Sequence, residues 1–274
     1  SLISPPVGTY QFQFCSNDTD IDQIVQPLFL NLTVTPGPAS RLGSSISSAT
    51  IQSALTSTVP NITICAYDAS SNLILNAGTI NVSLSITPTT NMTVTGPSYA
   101  LITAGQSCVT FSGIQFSLPL QGTYTLVFST AGVTSASVPV SVSSGSAYTL
   151  VFIRNPSATT LGGVLETQPE LNIYDRAGNM LLSGWTVTAS VNPIGSALPA
   201  FALSNQTASL VNGVVTYQTL SFLGERGASY SIVFQTISGA SIAWSIYIKN
   251  CTEFSKELVE DSTGYYCVCG AGYQ

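Results

Sequence analysis

Six cysteines stand at Cys15, Cys65, Cys108, Cys251, Cys267 and Cys269, and the chain has no histidine. Without His, the Ser-His and Cys-His nucleophile systems and the commonest general base are missing. Zinc fits poorly as well, because only Cys267 and Cys269 lie close and their one-residue spacing falls short of the two to four residues between paired zinc ligands. The acidic residues are scattered, so paired carboxylates across a cleft, as glycosidases need, do not converge on one place. Neither Gly162-Gly163 nor the stretch Gly224-Glu225-Arg226-Gly227 is followed by a helical pattern, so no phosphate-cradling loop is present. Two constellations remain. Asp18-Thr19-Asp20-Ile21-Asp22 places alternate carboxylates together as a calcium loop does, but without the Gly and distant Glu of an EF-hand it reads first as a solvated acidic loop. Trp185 and Trp244 offer faces for stacking on sugars, yet their strand-like settings read first as core aromatics. The expectation is a protein that is not an enzyme, with no catalytic residue, cofactor or metal assigned.

The rest of the composition points outside the cell. Charged residues make up 7% of the 274 positions against 45% hydrophobic, where a cytosolic protein carries about a quarter charged. Solubility is left to hydroxyls, amides or attached sugar. With six Lys and Arg and a net charge of -6, the counterion release that drives nucleic-acid binding is nearly absent, so nucleic acid is excluded as a partner. Acceptor triplets Asn-x-Ser/Thr occur at Asn17, Asn31, Asn61, Asn81, Asn91, Asn205 and Asn250. Several would arise by chance in a chain this rich in Ser and Thr, but their occurrence with cysteines and few Lys argues for a glycosylated, secreted or surface-exposed chain in an oxidising compartment. No apolar run is long enough to cross a membrane as a helix, and no insertion is expected within this segment. Ser1 to Pro6 lack an initiator Met and the features of a signal peptide, which is read as a start inside a mature, processed or larger protein.

The elements that must position these residues are strands, organised around one stretch that occurs three times. It reads Gly8-Thr9-Tyr10-Gln11-Phe12-Gln13-Phe14, then Gly122-Thr123-Tyr124-Thr125-Leu126-Val127-Phe128, then Gly227-Ala228-Ser229-Tyr230-Ser231-Ile232-Val233-Phe234. Each copy alternates an apolar face with a mostly polar one, the period of a half-buried strand. Each is followed by a loop, another strand and a Gly-containing break, the first at Pro36-Gly37-Pro38. Residues 1–37 therefore read as the last two strands of an incomplete module. Two complete modules follow, 38–144 and 145–249. Ser44 to Thr58 lacks apolar periodicity and is expected as a flexible or O-glycosylated loop.

Within each complete module an apolar strand ends at an Asp, Asp68 or Asp175. A turn follows (Ser70-Ser71-Asn72; Arg176-Ala177-Gly178-Asn179), and in the second one Gly and Asn are expected to accommodate positive φ. The order of apolar strand, Asp-x-x-Gly-Asn turn, strand, Asn212-Gly213 to Tyr217 strand and Gly-x-Tyr strand resembles the immunoglobulin-like repeats of the invasin and intimin type, which are similar to filamin repeats. The resemblance implies an all-β fold of tandem antiparallel sandwiches used as spacers and adhesive stalks. It also implies that the strands carrying Cys65 and Cys108 are neighbours. Both cysteines face away from the apolar parity of their strands, so an outward cross-strand disulfide is expected. Residues 250–274, with Gly264-Tyr265-Tyr266-Cys267-Val268-Cys269-Gly270-Ala271-Gly272-Tyr273, resemble part of an epidermal-growth-factor-like module, in which Cys251 pairs with Cys267 or another tail cysteine.

The preferred reading is a structural glycoprotein segment of an extracellular fibre, appendage or stalk. Its partners would be copies of itself or further repeats joined head to tail, with Cys15 or Cys269 as candidate bridges at the joint. The alternative is an adhesin or receptor ectodomain that binds a carbohydrate or protein.

Overall fold

The computed structural model describes residues 6–14, 28–75, 78–88, 93–157, 163–248, 256–261 and 264–269. Cys15, Asn17, the Asp18-Asp20-Asp22 loop, Asn91, Asn250 and Cys251 lie outside the described residues. The chain is all-β, and no helix occurs among the described residues. It divides into two compact β domains. The first takes in Ser1–Ile51, Thr56–Ser117 and Gly122–Val142, and the second Gln52–Leu55, Leu118–Gln121 and Ser143–Gln274.

In the first unit, β1 (Gly8–Phe14) and β2 (Leu28–Val34) form a separate two-stranded antiparallel sheet. Then come β3 (Arg41–Ser44), β4 (Ala49–Gln52), β5 (Thr56–Thr58), β6 (Ile62–Tyr67), β7 (Ile80–Thr87), β8 (Thr93–Thr95) and β9 (Tyr99–Ile102). β10 (Cys108–Phe111), β11 (Gln115–Ser117), β12 (Gly122–Thr130) and β13 (Val133–Ser143) complete it. The main sheet runs β10-β6-β3-β13-β12-β7-β9 with β4 added on β13, and β5-β11-β8 form a small second sheet. The main sheet folds over on itself, because Phe111 of β10 meets Phe128 of β12 edge-on at 4.8 Å although the two strands are not neighbours. Phe116 of the small sheet packs edge-on against Tyr124 at 5.6 Å. Around these rings close Ile62, Ile64, Leu126 and Val138, all fully buried.

The second unit repeats the plan. Its strands are β14 (Thr149–Arg154), β15 (Gly163–Val164), β16 (Glu170–Tyr174), β17 (Ser183–Pro193), β18 (Phe201–Ser204) and β19 (Thr207–Val211). β20 (Val214–Thr216), β21 (Ser221–Leu223), β22 (Ser229–Thr236) and β23 (Ser241–Tyr247) follow. The main sheet is β14-β16-β20-β19-β17-β22-β23 and the small one β15-β21-β18. Tyr217 meets Phe234 at 5.4 Å and Phe222 meets Tyr230 at 5.5 Å, the same two ring pairs as in the first unit. Such pairs add about 0.5–1.5 kcal/mol each beyond their buried area. Beyond β23, β24 (Lys256–Asp261) and β25 (Gly264–Cys269) pair as a hairpin.

Three expectations need correction. The Ser44–Thr58 stretch is not a loop: it holds β4 and β5, and Ala49, Ile51, Ser53, Ser57 and Val59 point inward. Serines at two inward positions erase the apolar period that marks a strand. Trp244 is not a buried core residue but stays 36% exposed, because β23 is the edge of its sheet. It leans edge-on against Phe152 at 5.7 Å, while Trp185 is half-buried against the core. The third concerns the Asp-Asn turns: in the second, Gly178 takes positive φ as expected but Asn179 does not, and in the first the residue with positive φ is Ser71.

Candidate functional site

The asparagines of those turns have another task. In the first unit Asp68 follows β6, and its carboxylate gathers the chain around it. Oδ1 accepts the N–H groups of Ser70 and Asn72 at 2.9 and 2.8 Å. Oδ2 accepts the Gly37 N–H and the Asn72 side-chain amide, both at 3.0 Å. Asn72 Oδ1 in turn accepts the N–H of Val7 at 3.2 Å, the residue just before Gly8-Thr9-Tyr10.

The second unit builds the same device from Asp175. Oδ1 accepts Ala177 and Asn179 N–H at 2.9 and 2.8 Å, and Oδ2 accepts Gly145 N–H and Asn179 Nδ2 at 2.7 and 2.8 Å. Asn179 Oδ1 accepts the N–H of Gln121 at 2.7 Å, the residue just before Gly122-Thr123-Tyr124. Its Nδ2 also donates to Ser53 Oγ at 3.2 Å and Pro119 O at 3.3 Å, and Ser53 Oγ donates to Pro119 O at 2.8 Å. Gly145 is held tightly enough that a Cβ would overlap the Ser53 carbonyl oxygen, whereas at Gly37 the nearest atom, Asp68 Cβ, would sit at 3.6 Å.

Electrostatics follow from this geometry. The Asn72 side-chain amide, and next the Gly37 N–H, hold the Asp68 carboxyl below its ordinary value against a smaller opposing effect of burial. At Asp175 burial is the largest influence and pushes the carboxyl up, but the Asn179 amide and the Gly145, Asn179 and Ala177 N–H groups outweigh it and leave the value lowered. A buried carboxylate that accepts several N–H bonds stays ionised for this reason. The arrangement fastens strand ends. It presents neither a nucleophile nor an open ligand position.

The remaining candidate residues are dispersed. Cys65 and Cys108 face each other across β6 and β10 and are disulfide-bonded, beside a Thr63–Thr110 hydroxyl pair at 2.9 Å on the same outer face. Asn31, Asn61, Asn81 and Asn205 are exposed, and Asn205 Nδ2 donates to Thr219 O at 3.1 Å. Cys267 and Cys269 lie on β25. Burial pushes the Tyr217 phenol up, and its hydroxyl donates to Val187 O at 2.7 Å within the core. Among the described residues no group of three or more His, Cys, Asp or Glu is placed to hold a metal ion.

No protein-family model matches the chain, and no curated protein matches it. Solved structures do. The chain is similar to the Escherichia coli adhesin FdeC, with TM-score 0.44 and 16% identity over 79% of this chain and 68% of that one. It is similar to the Yersinia pseudotuberculosis adhesin InvE, with TM-score 0.30 and 14% identity over 77% of this chain and 59% of that one. Domains 5–6 of the S-layer protein SbsC match with TM-score 0.28 and 14% identity, covering 78% of this chain and 99% of that one.

Sequence reasoning placed Asp68 and Asp175 in turns but missed the tie they make. The signal was present: the spacing Asp-x-x-x-Asn recurs behind the equivalent strand of both modules, Asp68 to Asn72 and Asp175 to Asn179.

Proposed function

We propose that this chain is a repeat segment of a cell-surface protein, serving as the adhesive or ligand-presenting part of an ectodomain. The observation that carries the reading is the duplicated Asp-Asn tie. In each unit a buried carboxylate, Asp68 or Asp175, held by an Asn four residues on, Asn72 or Asn179, fastens strand ends at the same place in the repeat. Function in such folds is carried by loops and edges on a rigid frame. The exposed apolar side chains Tyr99, Leu101, Val151 and Ile153, on the outer strands β9 and β14, supply contact surface of this kind.

The chemistry of the surface agrees with life outside the cell. An outer-face cross-strand disulfide, a low charge content and exposed acceptor asparagines at Asn31, Asn61, Asn81 and Asn205 support a glycosylated chain in an oxidising compartment. In this reading the module limits are 38–144 and 145–249, and residues 250–274 form part of an epidermal-growth-factor-like module in which Cys251 bonds Cys267 or another tail cysteine. Head-to-tail joining of such repeats into a fibre is the second reading, favoured by the exposed apolar face of the β1–β2 hairpin. The test is competition: soluble chain added in micromolar amounts should reduce attachment of the source cells to their natural surface, and Tyr99→Asp with Val151→Asp should relieve that inhibition. Attachment unaffected by any concentration of folded chain would rule the adhesive reading out.

A further inference from the structure

Three Gly-led strands recur in this chain, and the first differs from the others in what lies on its apolar face. Tyr10, Phe12 and Phe14 stand opposite Leu32, Leu30 and Leu28 across the β1–β2 pair, so six large apolar side chains share one face. Phe14 is 55% exposed, Leu28 68% and Leu30 54%, while their counterparts Phe128, Ala136 and Val138 are buried. A two-stranded sheet with such a face is marginal in water on its own. The reverse face carries Thr9, Gln11, Gln13, Asn31 and Thr33 beside a single large apolar residue, Phe29, and Asn31 stands opposite Gln11, so a glycan there would leave the Tyr10 face clear.

What covers the face in the other two copies is the same in each. Tyr124 and Phe128 are met by Phe116 and Phe111, and Tyr230 and Phe234 by Phe222 and Tyr217. In both units the first covering ring stands thirteen residues before the Gly-led Tyr and the second stands eight before it. The hairpin also keeps the tie of its kind: Val7 N–H reaches Asn72 Oδ1 as Gln121 N–H reaches Asn179 Oδ1. In strand order, parity and tie, β1–β2 is the last hairpin of a sandwich of this repeat.

We propose that the Tyr10 face is the docking floor for an upstream segment of the same polypeptide, a set of strands equivalent to β3–β10. In that segment a Phe or Tyr stands thirteen residues before Tyr10, packing edge-on against Phe14. Leu2 already occupies the position eight residues before Tyr10. A second copy of this chain is the poorer occupant, because its own covering rings Phe111, Phe116, Tyr217 and Phe222 are buried in their own units. The proposal stands whether the segment is adhesive or a spacer.

Hydrogen exchange tests it on the 274-residue chain and on the natural polypeptide extended upstream by about one sandwich domain, roughly 100 residues. Amides of 8–14 and 28–34 are expected to exchange quickly in the shorter chain and at least ~100-fold more slowly in the longer one. Equal protection in both chains overturns the proposal, as does protection that rises with concentration alongside a dimer in light scattering. Phe12→Asp provides the second arm. It should leave the denaturation midpoint of the shorter chain unchanged and lower that of the longer chain. A lowered midpoint in the shorter chain would mean that the face already packs within it, and the proposal would fall.

Discussion

Replacing Asp175 with Ala removes the acceptor for four donors at once: the N–H groups of Gly145, Ala177 and Asn179 and the Asn179 side-chain amide. The Ala177 N–H is partly buried and can turn to water, but those of Gly145 and Asn179 lie in buried surroundings. Each stranded buried donor costs about 1–3 kcal/mol, so two give about 2–6, and about 4 kcal/mol is the central expectation. That is a large share of the 5–15 kcal/mol that holds a domain together. Asp175→Asn should fare little better, because whichever way the new amide turns, its NH₂ points at N–H donors and one pair is lost. Both tryptophans, Trp185 and Trp244, belong to this unit, so equilibrium unfolding in guanidinium followed by Trp emission reports it selectively. The expected result is a midpoint lowered with the slope unchanged, the sign of lost stability without a change in the surface exposed. A loss below about 1 kcal/mol for Asp175→Ala would refute the tie as the fastening of this unit.

Further tests bear on the same frame. Gly145→Ala, whose Cβ would overlap the Ser53 carbonyl, should cost about 1–3 kcal/mol by overpacking, whereas Gly37→Ala, with 3.6 Å of room, should be close to neutral. Removing the disulfide as Cys65→Ala with Cys108→Ala opens a loop of 43 residues and should destabilise the first unit by about 4 kcal/mol in the chain-entropy picture, read from Tyr signals in thermal melts. Because the folded Asp175 carboxyl is held below its ordinary value, its contribution is complete above the unfolded pKa of about 4 and fades as pH falls through the lower folded value. Urea unfolding between pH 6 and pH 2.5 should therefore show the second unit weakening toward acid, and Asp175→Asn should flatten that slope. Enzymatic deglycosylation should shift the mass of the natural chain, with Asn61 the first site to inspect since it is exposed beside β6.

Much of the frame was legible because burial in a sheet leaves a period-2 trace. Tyr124, Leu126 and Phe128, and Tyr230, Ile232 and Phe234, show it without interruption and are buried. Parity alone put Cys65 and Cys108 on outward faces, and the cross-strand bond followed once their strands were neighbours. The strands β4 and β5 left no such trace, since Ser53 and Ser57 occupy inward positions and satisfy themselves with hydrogen bonds instead of apolar contact. The Asp-Asn ties were hidden for another reason. Asp175 meets Gly145 from 30 positions away and Asn179 meets Ser53 from 126, distances over which local turn chemistry is silent. Trp244 misled because alternation reports the face of a strand, not whether the strand lies at the edge of its sheet.

The claim that this chain works on the outside of a cell is tested most directly by labelling intact source cells with an antibody raised against the folded 274-residue chain. The account predicts staining without permeabilisation, abolished by brief protease treatment of the living cells, on a chain whose Cys65 and Cys108 are recovered as one disulfide-linked peptide pair. Staining that appears only after permeabilisation, with Cys65 recovered as a free thiol, would contradict it.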